Sequence, residues 1–105
     1  LKEASERRET LLISVVNWGE VLYVTEGRYG RGKRDEVERL IDQMQIEIID
    51  VNREIAHLAA HLKATEKLPY GDSFAAALAL SKKAELVTGD KDFRCVETKI
   101  HIQWL

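Results

Sequence analysis

Four acidic residues stand where carboxylates can do chemistry. Glu20 lies in SVVNWGEVLYV, Asp72 in PYGDSFAAALAL, and Asp90 and Asp92 in ELVTGDKDF. Carboxylate oxygens are the hard ligands that Mg²⁺ and similar cations prefer. A cation held that way activates water and stabilises charge on a phosphate. Each acid also has an ordinary structural reading. Gly89-Asp90-Lys91-Asp92 suits a turn, and Asp72 suits a helix N-cap, worth about 1 kcal/mol. Asn17 and Glu20 have the spacing of a capping box, with Asn17 as cap. Residue by residue both readings stay open. What groups the acids is position, since Glu20 and Asp90 each follow an apolar strand-like run and Asp72 opens a helix.

The elements that must carry them alternate. Residues 11–16, LLISVV, are apolar and β-branched, the pattern of a buried parallel strand. Helical character follows over 17–27, and RYGRGKR breaks it with two glycines. Val37, Leu40, Ile41 and Met44 recur at helical spacing. IEIIDV, 46–51, reads as a second strand. Asn52 is placed to cap the next helix, whose buried stripe would be Ile55, Leu58, Ala59 and Leu62. DSFAAALALSKKA is a further helical stretch, rich in Ala and Leu, ELVT (85–88) a third strand and IHIQWL (100–105) a closing one. Such alternation predicts an α/β fold, a mainly parallel sheet with helices on both faces. Ligands in such sheets lie outside the carboxyl ends of the strands, where Glu20 and Asp90 fall.

Bulk properties narrow the function. The chain has 105 residues, enough for one domain around one core. Its 16 basic and 18 acidic residues give a net charge of −2, which argues against a protein that coats nucleic acid. It permits an enzyme that meets a few phosphates through a local patch. Arg28, Arg31, Lys33 and Arg34 around Tyr29 are that patch, or else a solvated loop. No apolar run approaches the roughly 20 residues of a membrane helix. A single cysteine, Cys95, allows no internal disulfide and fits a cytoplasmic setting. His57 and His61, four apart in HLAAH, lack the Glu of the metalloprotease pattern and are expected to face water. Trp18 and Tyr23, just after a strand, are expected in the core.

Taken together, LLISVVNWGEVLYV with Glu20, LPYGDSFAAALAL with Asp72, and ELVTGDKDF with Asp90 resemble the PIN domain, most closely the VapC-type toxins. IHIQWL resembles the family's closing strand, and the match extends over almost the whole chain. The resemblance implies a three-layer α/β/α domain over residues 1–105. It also implies a metal-dependent endoribonuclease that acts as the toxin of a toxin–antitoxin system. Glu20, Asp72 and Asp90 then occupy family metal-site positions for Mg²⁺ or Mn²⁺. Asp92 is a secondary acid, and Thr88 contributes a hydroxyl toward substrate. RNA is the implied substrate, an antitoxin the implied partner and a homodimer the implied assembly.

One departure stands out. The family's first, central strand carries an acid, and nothing here matches it, because residues 1–10 already read as the tail of a helix. The sequence is therefore expected to be N-terminally incomplete. The departure keeps alive an alternative, a catalytically inactive PIN-like module that binds a protein partner. A phosphorelay receiver fits poorly, because IEIIDV is followed by Asn52-Arg53 rather than by a phosphoacceptor.

Overall fold

The computed structural model describes residues 11–105; the expected helix tail at 1–10 lies outside the described residues. Two compact units divide the chain, one ending at Asp50 and the other running from Val51 to Leu105.

In the first unit, β1 (Leu11–Ser14) leads directly into α1 (Val15–Tyr29). The strand is shorter than the apolar run suggested, because Ser14 caps the helix. Its backbone is extended and its Oγ accepts the Asn17 N–H at 3.1 Å. The cap places Val15 and Val16 in the first turn, and their β-branched preference for strand is overridden. Asn17 is therefore not the cap, and its side chain is left for other work. Gly30, at φ 91°, separates α1 from α2 (Arg31–Gln43) in a conformation that disfavours any residue with a Cβ. Gly32 does not break the chain but lies inside α2. β2 (Ile46–Ile49) pairs in parallel with β1, Leu11 opposite Ile46 and Ser14 opposite Ile49. Parallel pairing needs a long crossover, which α1 and α2 supply.

The apolar stripe of α2 is only partly covered. Val37 and Ile41 are half-buried, whereas Leu40 is 51% exposed and Met44, just past the helix end, is 55% exposed. Tyr23 is also exposed, against expectation, while Trp18 is half-buried and its indole nitrogen meets no hydrogen-bond partner among the described residues.

The second unit starts as the sequence suggests. Asn52 caps α3 (Arg53–Glu66), its Oδ1 accepting the Ile55 N–H at 2.9 Å. Ile55, Ala59 and Leu62 are buried, Leu58 is half-buried, and His57 and His61 on the same helix are exposed. After buried Leu68 comes α4 (Tyr70–Lys82), which packs against α3. Ala76, Ala77 and Ala79 are buried there, and such small side chains permit close helix approach. The Phe74 ring is buried and meets Tyr70 edge-on, the centroids 4.8 Å apart. β3 (Leu86–Thr88) and β4 (Ile102–Trp104) form a second parallel pair. Between them a 3₁₀ helix, Lys91–Val96, buries Phe93 and Val96 as its anchors.

Candidate metal centre

Asp72 sits in the first turn of α4 and is half-buried. Pro69, with its fixed φ of −53°, occupies the cap position, so Asp72 is not spent as an N-cap. An acid in the first turn lies in the favourable field of the helix N-terminus, which stabilises its charge.

Asp90 and Asp92 stand at the end of β3, and the turn that holds them is a hydrogen-bonded one. Thr88 Oγ1 accepts the Asp90 N–H at 3.0 Å, and Asp90 Oδ1 accepts the Asp92 N–H at 2.9 Å. The Leu105 N–H reaches the Thr88 carbonyl at 3.0 Å, tying the end of β3 to the residue that follows β4. Turn chemistry and ligand chemistry are thus not rivals here. The turn gathers the acids.

Asp72, Asp90 and Asp92 each offer a carboxylate oxygen, and these lie within 4.8 Å of one another. Asp90 and Asp92 are exposed. Among the described residues this is the one set of three or more metal-ligand side chains brought together. Three negative groups at such separations repel each other, and a divalent cation removes the repulsion. The all-oxygen donor set fits Mg²⁺ or Mn²⁺ better than a soft metal.

Glu20, in the first unit, has a different support. Ser14 Oγ donates to Asn17 Oδ1 at 2.5 Å, and Asn17 Nδ2 donates to Glu20 Oε1 at 2.9 Å. Sequence reasoning missed this chain, although the regular spacing of Ser14, Asn17 and Glu20 was a signal for it. The basic patch divides. Arg34 binds Glu26 at 3.0 Å and Asp35 at 2.7 Å, and Lys33 meets Glu36 at 3.4 Å. The Arg34 hydrogen bond holds the Asp35 carboxyl below its ordinary value of 3.8. Arg28 and Arg31 make no salt bridge with a described residue. Cys95, whose thiol donates to the Asp92 carbonyl at 3.2 Å, is pushed up in pKa, first by burial and then by Glu66.

The PIN domain family model matches residues 1–99, so the chain belongs to the PIN domain family. The fold agrees with solved structures of toxin–antitoxin proteins. One is a toxin–antitoxin complex from Klebsiella pneumoniae, 25% identical, with a TM-score of 0.67 over 89% of this chain and 75% of that one. Another is VapBC-1 from nontypeable Haemophilus influenzae, 21% identical, with a TM-score of 0.75 over 99% of this chain and 85% of that one. No curated protein matches the chain in sequence. The parallel α/β reading and the PIN-domain resemblance are borne out. No helix among the described residues is long and apolar enough to cross a membrane.

Proposed function

We propose that this chain is the toxin of a toxin–antitoxin pair and a Mg²⁺- or Mn²⁺-dependent endoribonuclease acting on cytoplasmic RNA. The observation that carries this is the meeting of Asp72, Asp90 and Asp92 oxygens within 4.8 Å at the end of a strand. Asp72 and Asp90 are the direct ligands, and Asp92 is a secondary acid. The PIN resemblance makes Glu20 a further metal-site acid or the group that orients the attacking water. A bound divalent cation supplies Lewis-acid stabilisation of phosphate charge and lowers the pKa of water. Thr88 keeps its hydroxyl proton for a phosphate oxygen while its lone pair holds Asp90. Arg28 and Arg31 meet the RNA backbone more readily than Lys33 and Arg34, which must first give up their acids. The family match runs across both units, which supports one PIN domain over 1–105.

An antitoxin partner and a homodimer complete the proposal. The two toxin–antitoxin neighbours support the first.

The test is cleavage of an RNA oligonucleotide with Mg²⁺ or Mn²⁺, comparing the wild type with Asp90→Asn. In-line hydrolysis leaves a 5′-phosphate and a 3′-hydroxyl. The variant is expected to lose at least about 100-fold in rate while remaining folded, in line with the cost of losing transition-state charge stabilisation. An unchanged rate sinks the site assignment. Tight partner binding with no metal-dependent turnover in the wild type points instead to the inactive PIN-like module.

A further inference from the structure

We infer that Asn17 is a positioning residue for Glu20, set in its turn by the buried Ser14. The inference rests on the nuclease reading above, in which Glu20 serves the cation or the attacking water.

Ser14 is 1% exposed and immobilised twice. It ends a paired strand, and its Oγ takes the Asn17 N–H as the helix cap. With one lone pair so engaged, the hydroxyl proton is directed to Asn17 Oδ1 at 2.5 Å. That fixes which end of the amide points where. Nδ2 then faces Glu20 Oε1 at 2.9 Å as a donor. The flipped amide would set Oδ1 against Oε1, two acceptors with no proton between them when the carboxylate is ionised. The amide orientation is therefore decided at both ends.

An ordinary surface pair three residues apart on a helix is weak and lets both side chains wander. Here Asn17 and Glu20 are both half-buried, and the anchor behind them is buried. Oε1 is held by the amide, and Oε2 meets no hydrogen-bond partner among the described residues. One oxygen fixed and one left open is the arrangement that aims a carboxylate. Misplacing such a group by about 1 Å costs on the order of 100-fold in rate.

Two variants and two readouts test it. Asn17→Leu keeps the side-chain size and removes the donor. Asn17→Asp keeps the shape and sets a like charge against Glu20. Both leave the cap, which uses the Asn17 backbone. At saturating RNA, Asn17→Leu is expected to lower kcat about tenfold or more, with KM within about twofold and the melting temperature nearly unchanged; Asn17→Asp is expected to lose more. In a Glu20→Gln background the further cost of Asn17→Leu should fall below about twofold, as expected for residues acting as a unit. The second readout uses Mg²⁺ alone, without RNA. Its titration should move the Asn17 side-chain amide signals in the ¹H–¹⁵N spectrum of the wild type and leave them still in Glu20→Gln. Amide signals that ignore Mg²⁺, or Asn17→Leu cutting at the wild-type rate, overturn the inference. If the wild type leaves RNA intact, the nuclease reading falls separately, and the Mg²⁺ titration still decides the role of Asn17.

Discussion

The acids of the two units are held in opposite ways. Asp90 and Asp92 are held through main-chain donors, since both hydrogen bonds of their turn run from a main-chain N–H to a side-chain oxygen, that of Thr88 or of Asp90. Glu20 is placed by side chains, through the amide of Asn17 and the hydroxyl of Ser14. A turn with main-chain donors keeps them through any substitution but proline, and each replacement removes only the bond whose acceptor oxygen it takes away. A side-chain relay fails when any one member is replaced. The difference predicts where the protein is fragile.

The comparison can be broken from the strong end downward, below the near-total loss expected for Asp90→Asn. Ser14→Ala removes both the helix cap and the hydroxyl that orients Asn17. It should destabilise by about 1–2 kcal/mol, the upper range for a lost cap, and also lower cleavage. Chemical denaturation with a parallel rate measurement checks it, and a stable variant with a full rate would show that the relay is incidental. Thr88→Val is the matching change in the other unit and should do less. The exposed Asp90 N–H finds water when it loses Oγ1, so about 0.5–1 kcal/mol is expected, with a few-fold weaker response to Mg²⁺. If Thr88→Val proves costlier than Ser14→Ala, the contrast between the two supports is wrong.

The smallest effect concerns pH. Asp35 has its folded pKa lowered, chiefly by the hydrogen bond from Arg34. A lowered carboxylate contributes stability above its unfolded pKa and loses it as pH falls through the lowered folded value. The contribution is therefore present at neutral pH and disappears in acid. Urea midpoints of Asp35→Asn should lie slightly below the wild type near pH 6 and converge on it as pH falls past the ordinary value of 3.8 and through the lowered folded one. A gap that widens in acid would reverse the sign. The pair is exposed, so salt should shrink the gap at neutral pH.

Much of this was readable from the chain, for identifiable reasons. Asn52 stands before a periodic apolar stripe, so its cap and the burial of Ile55, Ala59 and Leu62 followed from local rules. Asp72 and Asp90 were recognisable because a helix start and a strand end are places where acids meet ligands. The first helix was harder. Ser14 and Asn17 are both good caps three residues apart, and β-branched Val15 and Val16 between them favour a strand. Only the strand pairing of Ser14 with Ile49 decides where the helix begins. The Arg34 pairing was hidden, since Glu26 is eight residues away and reaches it only because Gly30 turns the chain. Periodicity located the apolar face of α2, but periodicity does not say what covers Leu40 and Met44.

On the proposed metal site, the turn after β3 would have a consequence for ion selectivity. Asp90 Oδ1 already accepts a main-chain N–H, so one oxygen of the carboxylate is partly engaged and the other is the stronger donor to a cation. Calcium sites favour six to eight oxygens and often take both from one carboxylate, whereas magnesium and manganese suit single oxygens in a compact octahedron. If the proposed metal site is right, a hydrogen bond inside this turn would bias it toward a cation that takes a single oxygen from Asp90, through the fold rather than through the choice of acid.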